Sequence, residues 1–212
     1  VLWPAIILMA VGFTILYSDS LRGPGVTFDP GRLLHVLEDG RLSETFFVDV
    51  SPGDAEAIAS ICSQLQRHDR RLINVERLAT QVGQLKGLPH KSPLRFLGFF
   101  AILESLLSHA PKPSDPYDSI TRQVKKKIAL LNNRWAPPID YSPFGGAAPD
   151  TVWARMYAYR SLLAHGGAPE FTGDLALLRS HENALKLIKE TVKSVIRQAL
   201  AEPQLLLDLR EC

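Results

Sequence analysis

Apolar residues recur at the spacing of a helix face along most of the chain after residue 53. The motif Ser51-Pro52-Gly53-Asp54 predicts a helix start, with Ser51 as the cap, proline at the first helical position and an acid in the first turn. Two successive helical segments follow, and their apolar positions are Ile58, Ile61, Cys62 and Leu65, then Leu72, Val75, Ala79 and Val82. The pattern therefore predicts that this part of the chain is helical.

A strongly apolar helix is predicted to begin at Ser92-Pro93. Its body, LRFLGFFAILESLLSHA, is apolar on nearly every face, which is typical of a central helix packed on several sides. Glu104 lies in the middle of this body, where a buried carboxylate needs a hydrogen-bonding or ionic partner. We expect Glu104 to pair with a basic group on a neighbouring helix, and a direct catalytic role is the alternative.

A basic helix is predicted next. Its apolar positions are Ile120, Val124, Ile128 and Leu131, and its polar side carries Arg122 and the run Lys125-Lys126-Lys127. A lysine run of this kind is usually a solvated helix face, and contact with phosphate groups is the alternative. The irregular stretch from Asn132 to Pro149 that follows is long, and such loops are uncommon unless they are functional or mobile.

Two more helices complete the predicted bundle. One runs over TVWARMYAYRSLLAH, with Asp150 or Thr151 as its cap and Gly166-Gly167 at its end. The other is predicted as one long amphipathic helix from Asp174 to about Glu202.

The first fifty residues show a different pattern. Val1 to Tyr17 is apolar and uncharged, but it is shorter than the ~20 residues of a membrane-spanning helix, and no basic leader of a secretory signal precedes it. We therefore expect a buried strand or segment here and no membrane association. Thr45 to Val50 is rich in β-branched and aromatic residues and also predicts a strand. The predicted fold class is mainly α, with a small strand-containing region at residues 1–53 and a helical bundle at residues 54–212.

Composition narrows the class of protein. The 212 residues are 46% hydrophobic and 22% charged, which excludes a disordered chain. A formal charge of +2 argues against a broad basic surface, so a nucleic acid would have to be bound locally. Two cysteines are too few for a disulfide framework or a zinc site, and this favours a cytoplasmic location. No carboxylates, histidines or cysteines have the spacing of metal ligands, so we predict neither a metal nor another cofactor.

The segment Arg160-Ser161-Leu162-Leu163-Ala164-His165-Gly166 places an arginine and a histidine at one helix end, with four residues between them. This arrangement resembles the signature of HEPN domains, in particular the Apea-like subgroup. The helix SPLRFLGFFAILESLL is similar to the subgroup's helix in which an arginine precedes an apolar run ending in a Leu-Glu-x-Leu-Leu pattern. Together with the basic helix from Arg122 to Lys127, the likeness covers about Val75 to Ala201.

The resemblance implies a HEPN-like helical bundle that acts as a metal-independent endoribonuclease of a prokaryotic defence or toxin-like system. In active members the ribose 2′-hydroxyl attacks the adjacent phosphate, which here assigns catalysis to Arg160 and His165, supported by Ser161 and Glu104. The residue types suit this role, because histidine titrates near neutral pH and arginine binds phosphate oxygens while it stays charged. The remaining candidate RNA contacts are Arg122, Lys125, Lys126, Lys127 and, through base stacking, Tyr157.

Helix geometry bears on how Arg160 and His165 meet. Five residues turn an ideal helix by about 500°, which leaves the two side chains about 140° apart. Either the final turn unwinds at Gly166-Gly167 or two chains bring their motifs together, as the family commonly does. We therefore expect a homodimer formed through the Arg160–His165 helix, and a regulatory protein is a further candidate partner.

Structural roles are the alternatives for the same residues. An arginine near a helix end often binds backbone carbonyls, a histidine before two glycines often ends a helix, and Tyr157 would then pack or line a dimer interface. The alternative function is accordingly a non-catalytic HEPN module that binds RNA, a nucleotide or a protein partner.

Overall fold

The computed structural model describes residues 51–111 and 119–212, and all regular secondary structure within those two ranges is helical. The α-helices are α1 (Pro52–Arg67), α2 (Val75–Lys86), α3 (Pro93–Leu107), α4 (Ile120–Asn132), α5 (Pro149–Ala164), α6 (His181–Ala201) and α7 (Pro203–Glu211). None of these helices is long and apolar enough to cross a membrane. The mainly α fold class and the helical bundle are confirmed, whereas the strands predicted at Val1–Tyr17 and Thr45–Val50 lie outside the described residues.

The first helix begins as its sequence predicts. The Ser51 hydroxyl accepts a hydrogen bond from the Asp54 amide at 3.2 Å, and the Asp54 carboxylate accepts one from the Ser51 amide at 3.0 Å. This reciprocal pair is a capping box, and the hydrogen bonds from Ser51 lower the pKa of Asp54. Helix α2 begins later than predicted, because Asn74 caps it through the Arg77 amide; Leu72 therefore lies ahead of the helix and is exposed.

Helix α3 is the centre of the bundle, as its all-round apolar pattern predicts. It packs against α2, α4, α5, α6 and α7. Phe96, Phe99, Phe100, Leu103 and Leu107 are fully buried along it. One detail of the prediction is wrong: Pro93 occupies the first turn, but the Ser92 side chain makes no capping hydrogen bond.

The stretch between α4 and α5 packs against the bundle. The Asn132 side chain accepts a hydrogen bond from the Ile139 amide at 2.7 Å, and the Trp153 indole donates one to the Tyr141 hydroxyl at 2.9 Å. Phe144, in a short 3-10 helix at Ser142–Phe144, is buried in the core. The loop thus fixes the start of α5, which begins at Pro149; the predicted cap at Asp150 or Thr151 is wrong, because both residues already lie within the first turn.

The predicted long helix from Asp174 to about Glu202 is two elements, and a further short helix, α7, follows it. A 3-10 helix at Gly173–Leu178 is followed by Arg179 with a φ of 63°, and Ser180 then caps α6 by accepting a hydrogen bond from the Asn183 amide. Proline restricts the residue before it to extended conformations, and Pro203 accordingly separates α6 from α7. The apolar period continues through the 3-10 helix, whose Leu175 and Leu178 are buried, and this continuity explains the wrong prediction.

Candidate functional site

The carboxyl end of α5 carries the Arg160–His165 segment. His165 is the C-cap residue, and Gly166 follows in a left-handed conformation with a φ of 75°. The Gly166 amide donates to the Leu163 carbonyl at 3.1 Å, and the Gly167 amide donates to the Leu162 carbonyl at 2.9 Å. These two bonds form a Schellman motif, so the glycine pair has a structural role in ending the helix.

Arg160 pairs with the central glutamate across the interface between α5 and α3. Its guanidinium nitrogen Nη2 lies 3.2 Å from Oε2 of Glu104. The expected partnership of Glu104 with a basic group on a neighbouring helix is confirmed, and that group is the predicted catalytic arginine itself. The Arg160 side chain stays 40% exposed while Glu104 is 17% exposed. Because a guanidinium has five N–H donors, Arg160 keeps donors for a ligand while one side of it is held in place.

Tyr157 lies one helical turn before Arg160. Its ring packs edge-on against Phe100 with the ring centroids 5.1 Å apart, in agreement with the packing alternative. Its hydroxyl is buried and has no hydrogen-bond partner among the described residues. Burial raises the pKa of the phenol, and the nearby Glu104 carboxylate raises it further, against the opposing effect of Arg160. The hydroxyl is therefore a neutral polar group beside the ion pair.

His165 and Ser161 are both exposed. Their backbones are joined, because the His165 amide donates to the Ser161 carbonyl at 3.1 Å, but no side-chain hydrogen bond joins the Ser161 hydroxyl to the imidazole. Within the described residues the His165 imidazole has no hydrogen-bond or ion-pair partner at all. It is thus open to solvent at the helix end.

The regular end of α5 bears on the first of the two arrangements considered for Arg160 and His165, the unwinding of the final turn. Helix α5 continues to Ala164 and the His165 amide still makes a helical hydrogen bond, so the final turn does not unwind ahead of His165. The ideal separation of about 140° between Arg160 and His165 therefore applies. A single chain presents the two side chains in different directions.

The predicted RNA-binding lysines do not form one solvated face. Lys127 is only 5% exposed, and its ammonium donates to the carbonyl of Arg210, in α7, at 3.4 Å. Lys125 pairs with Asp150 at 2.7 Å, whereas Lys126 and Arg122 are exposed. The expectation of a continuous solvated run is thus wrong at Lys127.

These lysines also lie far from His165. Asp150, which binds Lys125, is in the first turn of α5, and His165 ends that helix fifteen residues later. At 1.5 Å per residue the two positions are about 22 Å apart along the axis. The structure of one chain therefore does not bring the basic side of α4 together with the Arg160–His165 segment.

A second group of basic side chains lies where three helices meet, and sequence reasoning missed it. Lys86 is in the last turn of α2, Arg95 is in the first turn of α3, and Lys189 and Lys193 lie on α6. We call these four residues the α2–α3–α6 basic cluster. The spacing of Lys186, Lys189, Lys193 and Arg197 along one face of α6 is a signal in the sequence that points to it.

Comparison of the chain with models of known families, with curated proteins and with solved structures finds no match. Within the described ranges, no group of three or more histidine, cysteine, aspartate and glutamate side chains is placed to hold a metal ion. The functional hypotheses therefore depend on the geometry above and on the residues that resemble HEPN domains.

Proposed function

We propose that this protein is a cytoplasmic, HEPN-like, metal-independent endoribonuclease of a prokaryotic defence or toxin-like system, with Arg160 and His165 as its catalytic residues. The observation that carries the proposal is the contact between Glu104 and Arg160. It orients a guanidinium that remains 40% exposed, on the same helix that ends in an imidazole with no hydrogen-bond or ion-pair partner among the described residues. One oriented phosphate-binding group and one available proton-transfer group are what the reaction requires.

The reaction that these groups serve is an internal transfer at phosphorus. The ribose 2′-oxygen forms a bond to the adjacent phosphorus, and the bond from phosphorus to the 5′-oxygen of the next nucleotide breaks. His165 takes the proton of the 2′-hydroxyl or supplies one to the leaving 5′-oxygen. Arg160 donates hydrogen bonds to the phosphate oxygens as their negative charge increases. The products are a 2′,3′-cyclic phosphate and a 5′-hydroxyl.

A second copy of the chain completes the proposed site. Because Arg160 and His165 of one helix point about 140° apart, the arginine of one protomer would act with the histidine of its partner. Two copies would also bring two exposed basic side chains, Arg160 and its symmetry mate, to one cleft. The resulting local charge suits an RNA backbone even though the formal charge of each chain is only +2.

Cleavage of single-stranded RNA in EDTA tests the activity. We expect His165→Ala and Arg160→Ala to lower the rate by roughly 10²–10⁴-fold, the usual contribution of an acid–base or charge-stabilising group. Arg155→Ala is the matched control, because Arg155 is on the same helix, is 39% exposed and also pairs with a carboxylate, that of Asp174 at 2.8 Å. Cleavage that survives both site variants, or that requires a divalent metal, would exclude the mechanism.

A mixing experiment tests the composite site. When the inactive Arg160→Ala and His165→Ala proteins are mixed in equal amounts and allowed to exchange subunits, half of the dimers contain one chain of each kind. Each mixed dimer holds one site with both residues intact, so about a quarter of the wild-type rate should return. No recovery despite demonstrated subunit exchange would place both catalytic residues of each site in one chain.

A non-catalytic module is the second candidate function, and two observations favour it. Glu104 already balances part of the Arg160 charge, and the glycine pair after His165 serves to end α5. RNA or nucleotide binding without cleavage by the wild-type protein and by both site variants would support this alternative.

A further inference from the structure

We propose that the α2–α3–α6 basic cluster, Lys86, Arg95, Lys189 and Lys193, binds a phosphate group. The cluster is separate from the proposed catalytic site. On α3, Arg95 and Glu104 are nine residues apart, which places them about 180° apart around the helix axis. The proposal therefore stands on different residues from those of the proposed nuclease.

Two lysines of the cluster, Lys86 and Lys189, carry positive charge that no ion pair balances within the described residues. Lys193 is 4% exposed, and its ammonium lies 2.9 Å from the carboxylate of Glu190. Lys86 and Lys189 are partly buried, and neither makes a hydrogen bond or an ion pair within the described residues. Burial of an ammonium group is costly unless an anion is close, so Lys86 and Lys189, which have only the shared Glu190 nearby, are the side chains that a bound anion would stabilise most.

The positive charges of the cluster lower one another's pKa values. Burial lowers the pKa of Lys86 to about 8, with Lys193, Lys189 and Arg95 adding to the effect as neighbouring positive charges and Glu190 opposing it. Burial also lowers the pKa values of Lys189 and Lys193, and in both cases Glu190 opposes the effect. Such mutual repulsion would be relieved by a ligand with negative charge.

The fold holds the cluster together from three sides. Helices α2, α3 and α6 pack against one another in all three pairs, and Arg95 is tied to the α2–α3 connection through the Leu88 carbonyl at 3.5 Å. Lys189 and Lys193 are one turn apart on α6, so both face the same side. Helix packing thus holds the backbones of these residues near one another.

A phosphate group fits these donors better than a carboxylate does. It carries up to two negative charges and several acceptor oxygens, so that two or three ammonium groups and an arginine fork can bind it at once. Such a phosphate group can belong to a free nucleotide or to the backbone of an RNA strand. In either case the phosphate oxygens would make the same contacts with the cluster.

Calorimetric titration of the full chain with inorganic phosphate, at matched ionic strength in chloride, tests the proposal. We expect the double variant Lys86→Met/Lys189→Met to bind phosphate at least tenfold more weakly, while methionine preserves the packing of the lysine stems. Arg77→Met is the matched control, because Arg77 is an exposed cation on the other side of α2 and should leave binding unchanged. Lys86→Arg/Lys189→Arg keeps the charge and should retain most of the affinity.

Competition identifies the source of the phosphate. A ribonucleoside monophosphate that displaces inorganic phosphate supports a nucleotide site, and displacement only by single-stranded RNA supports a backbone contact. Equal phosphate binding by the wild type and by the methionine double variant would overturn the proposal. So would preferential binding of a polyglutamate peptide. RNA cleavage by the double variant is measured in parallel, and since Arg160 and His165 are unchanged, loss of phosphate binding with retained cleavage separates the two proposals.

Discussion

The guanidinium of Arg160 has a carboxylate partner of its own, whereas the ammonium groups of Lys86 and Lys189 share one carboxylate, Glu190, with other cations. Both sites lie between packed helices and both are partly buried, so solvation alone does not distinguish them. What differs is the charge that the fold supplies opposite each site: Glu104 in the first case, and Glu190 shared among several basic groups in the second. The comparison indicates that Arg160 is oriented before any ligand binds, while the basic cluster gains stability when an anion arrives.

Substitution of Arg160 should lower the free energy of unfolding more than substitution of Glu104 does. The change at Arg160 is the largest effect on stability that we expect. Arg160→Met leaves the mostly buried Glu104 carboxylate without a partner and should lower the free energy of unfolding by about 2 kcal/mol. Glu104→Gln leaves a 40% exposed guanidinium that water can solvate, so its cost should be about 1 kcal/mol or less. Urea unfolding of both variants and of the double variant gives the coupling energy. Equal costs, or a coupling energy near zero, would mean that the pair does not orient Arg160.

Removal of a cation from the basic cluster should raise the free energy of unfolding, whereas removal of Arg160 lowers it. Lys86→Met removes a cation from a like-charged environment and should raise the stability at pH 7 by up to about 1 kcal/mol, well below the full value of the pKa shift because part of the side chain is solvated. A loss of stability comparable to that of Arg160→Met would show that Lys86 already has an anionic partner.

The pH dependence of stability also distinguishes the basic cluster from the Arg160–Glu104 pair. The pKa of Lys86 is about 8 in the folded chain and 10.5 for an unperturbed lysine, so the unfolded state binds more protons between these values. Stability contributed by this group therefore increases as the pH rises from 8 towards 10. Lys86→Met should flatten the increase, and saturating phosphate should reduce it in the wild type. Thermal unfolding across this range measures both effects, and identical slopes in all three cases would contradict the assignment.

The smallest expected effect concerns the Tyr157 hydroxyl. Tyr157→Phe removes a buried group that has no hydrogen-bond partner among the described residues, so stability should stay unchanged or rise by about 0.5 kcal/mol. A cost of more than about 1 kcal/mol would show that the hydroxyl has a partner in the folded protein. Weaker RNA binding by this variant at unchanged stability would instead show that the ligand uses the hydroxyl.

Local signals predicted the elements that local chemistry controls. The capping box at Ser51 and Asp54 and the all-round apolar pattern of α3 gave the correct helices, because caps and periodicity act within a few residues. The partner of Glu104 was predictable as a type of group, since a carboxylate inside an apolar helix needs a cation.

Features that depend on tertiary packing were not predictable in this way. Lys127 follows two lysines on a polar side, and its burial and its hydrogen bond to the distant Arg210 carbonyl appear only in the folded chain. The break before α6 was hidden because the 3-10 helix keeps the apolar period, and the basic cluster combines residues from three helices that are distant in sequence. The angle between Arg160 and His165 follows from helix geometry alone, and the homodimer that would unite the two residues stays a prediction.

The chemical ends of the RNA products test the central claim most directly. Single-stranded RNA incubated with the protein in EDTA and analysed by mass spectrometry should yield 2′,3′-cyclic phosphate and 5′-hydroxyl ends. His165→Ala should yield neither, and Arg155→Ala should yield both. A single 2′-deoxy substitution at the cleaved nucleotide should block the reaction at that position. Products with 3′-hydroxyl and 5′-phosphate ends, or cyclic ends that form equally with His165→Ala, would contradict the assignment of Arg160 and His165 to metal-independent RNA cleavage.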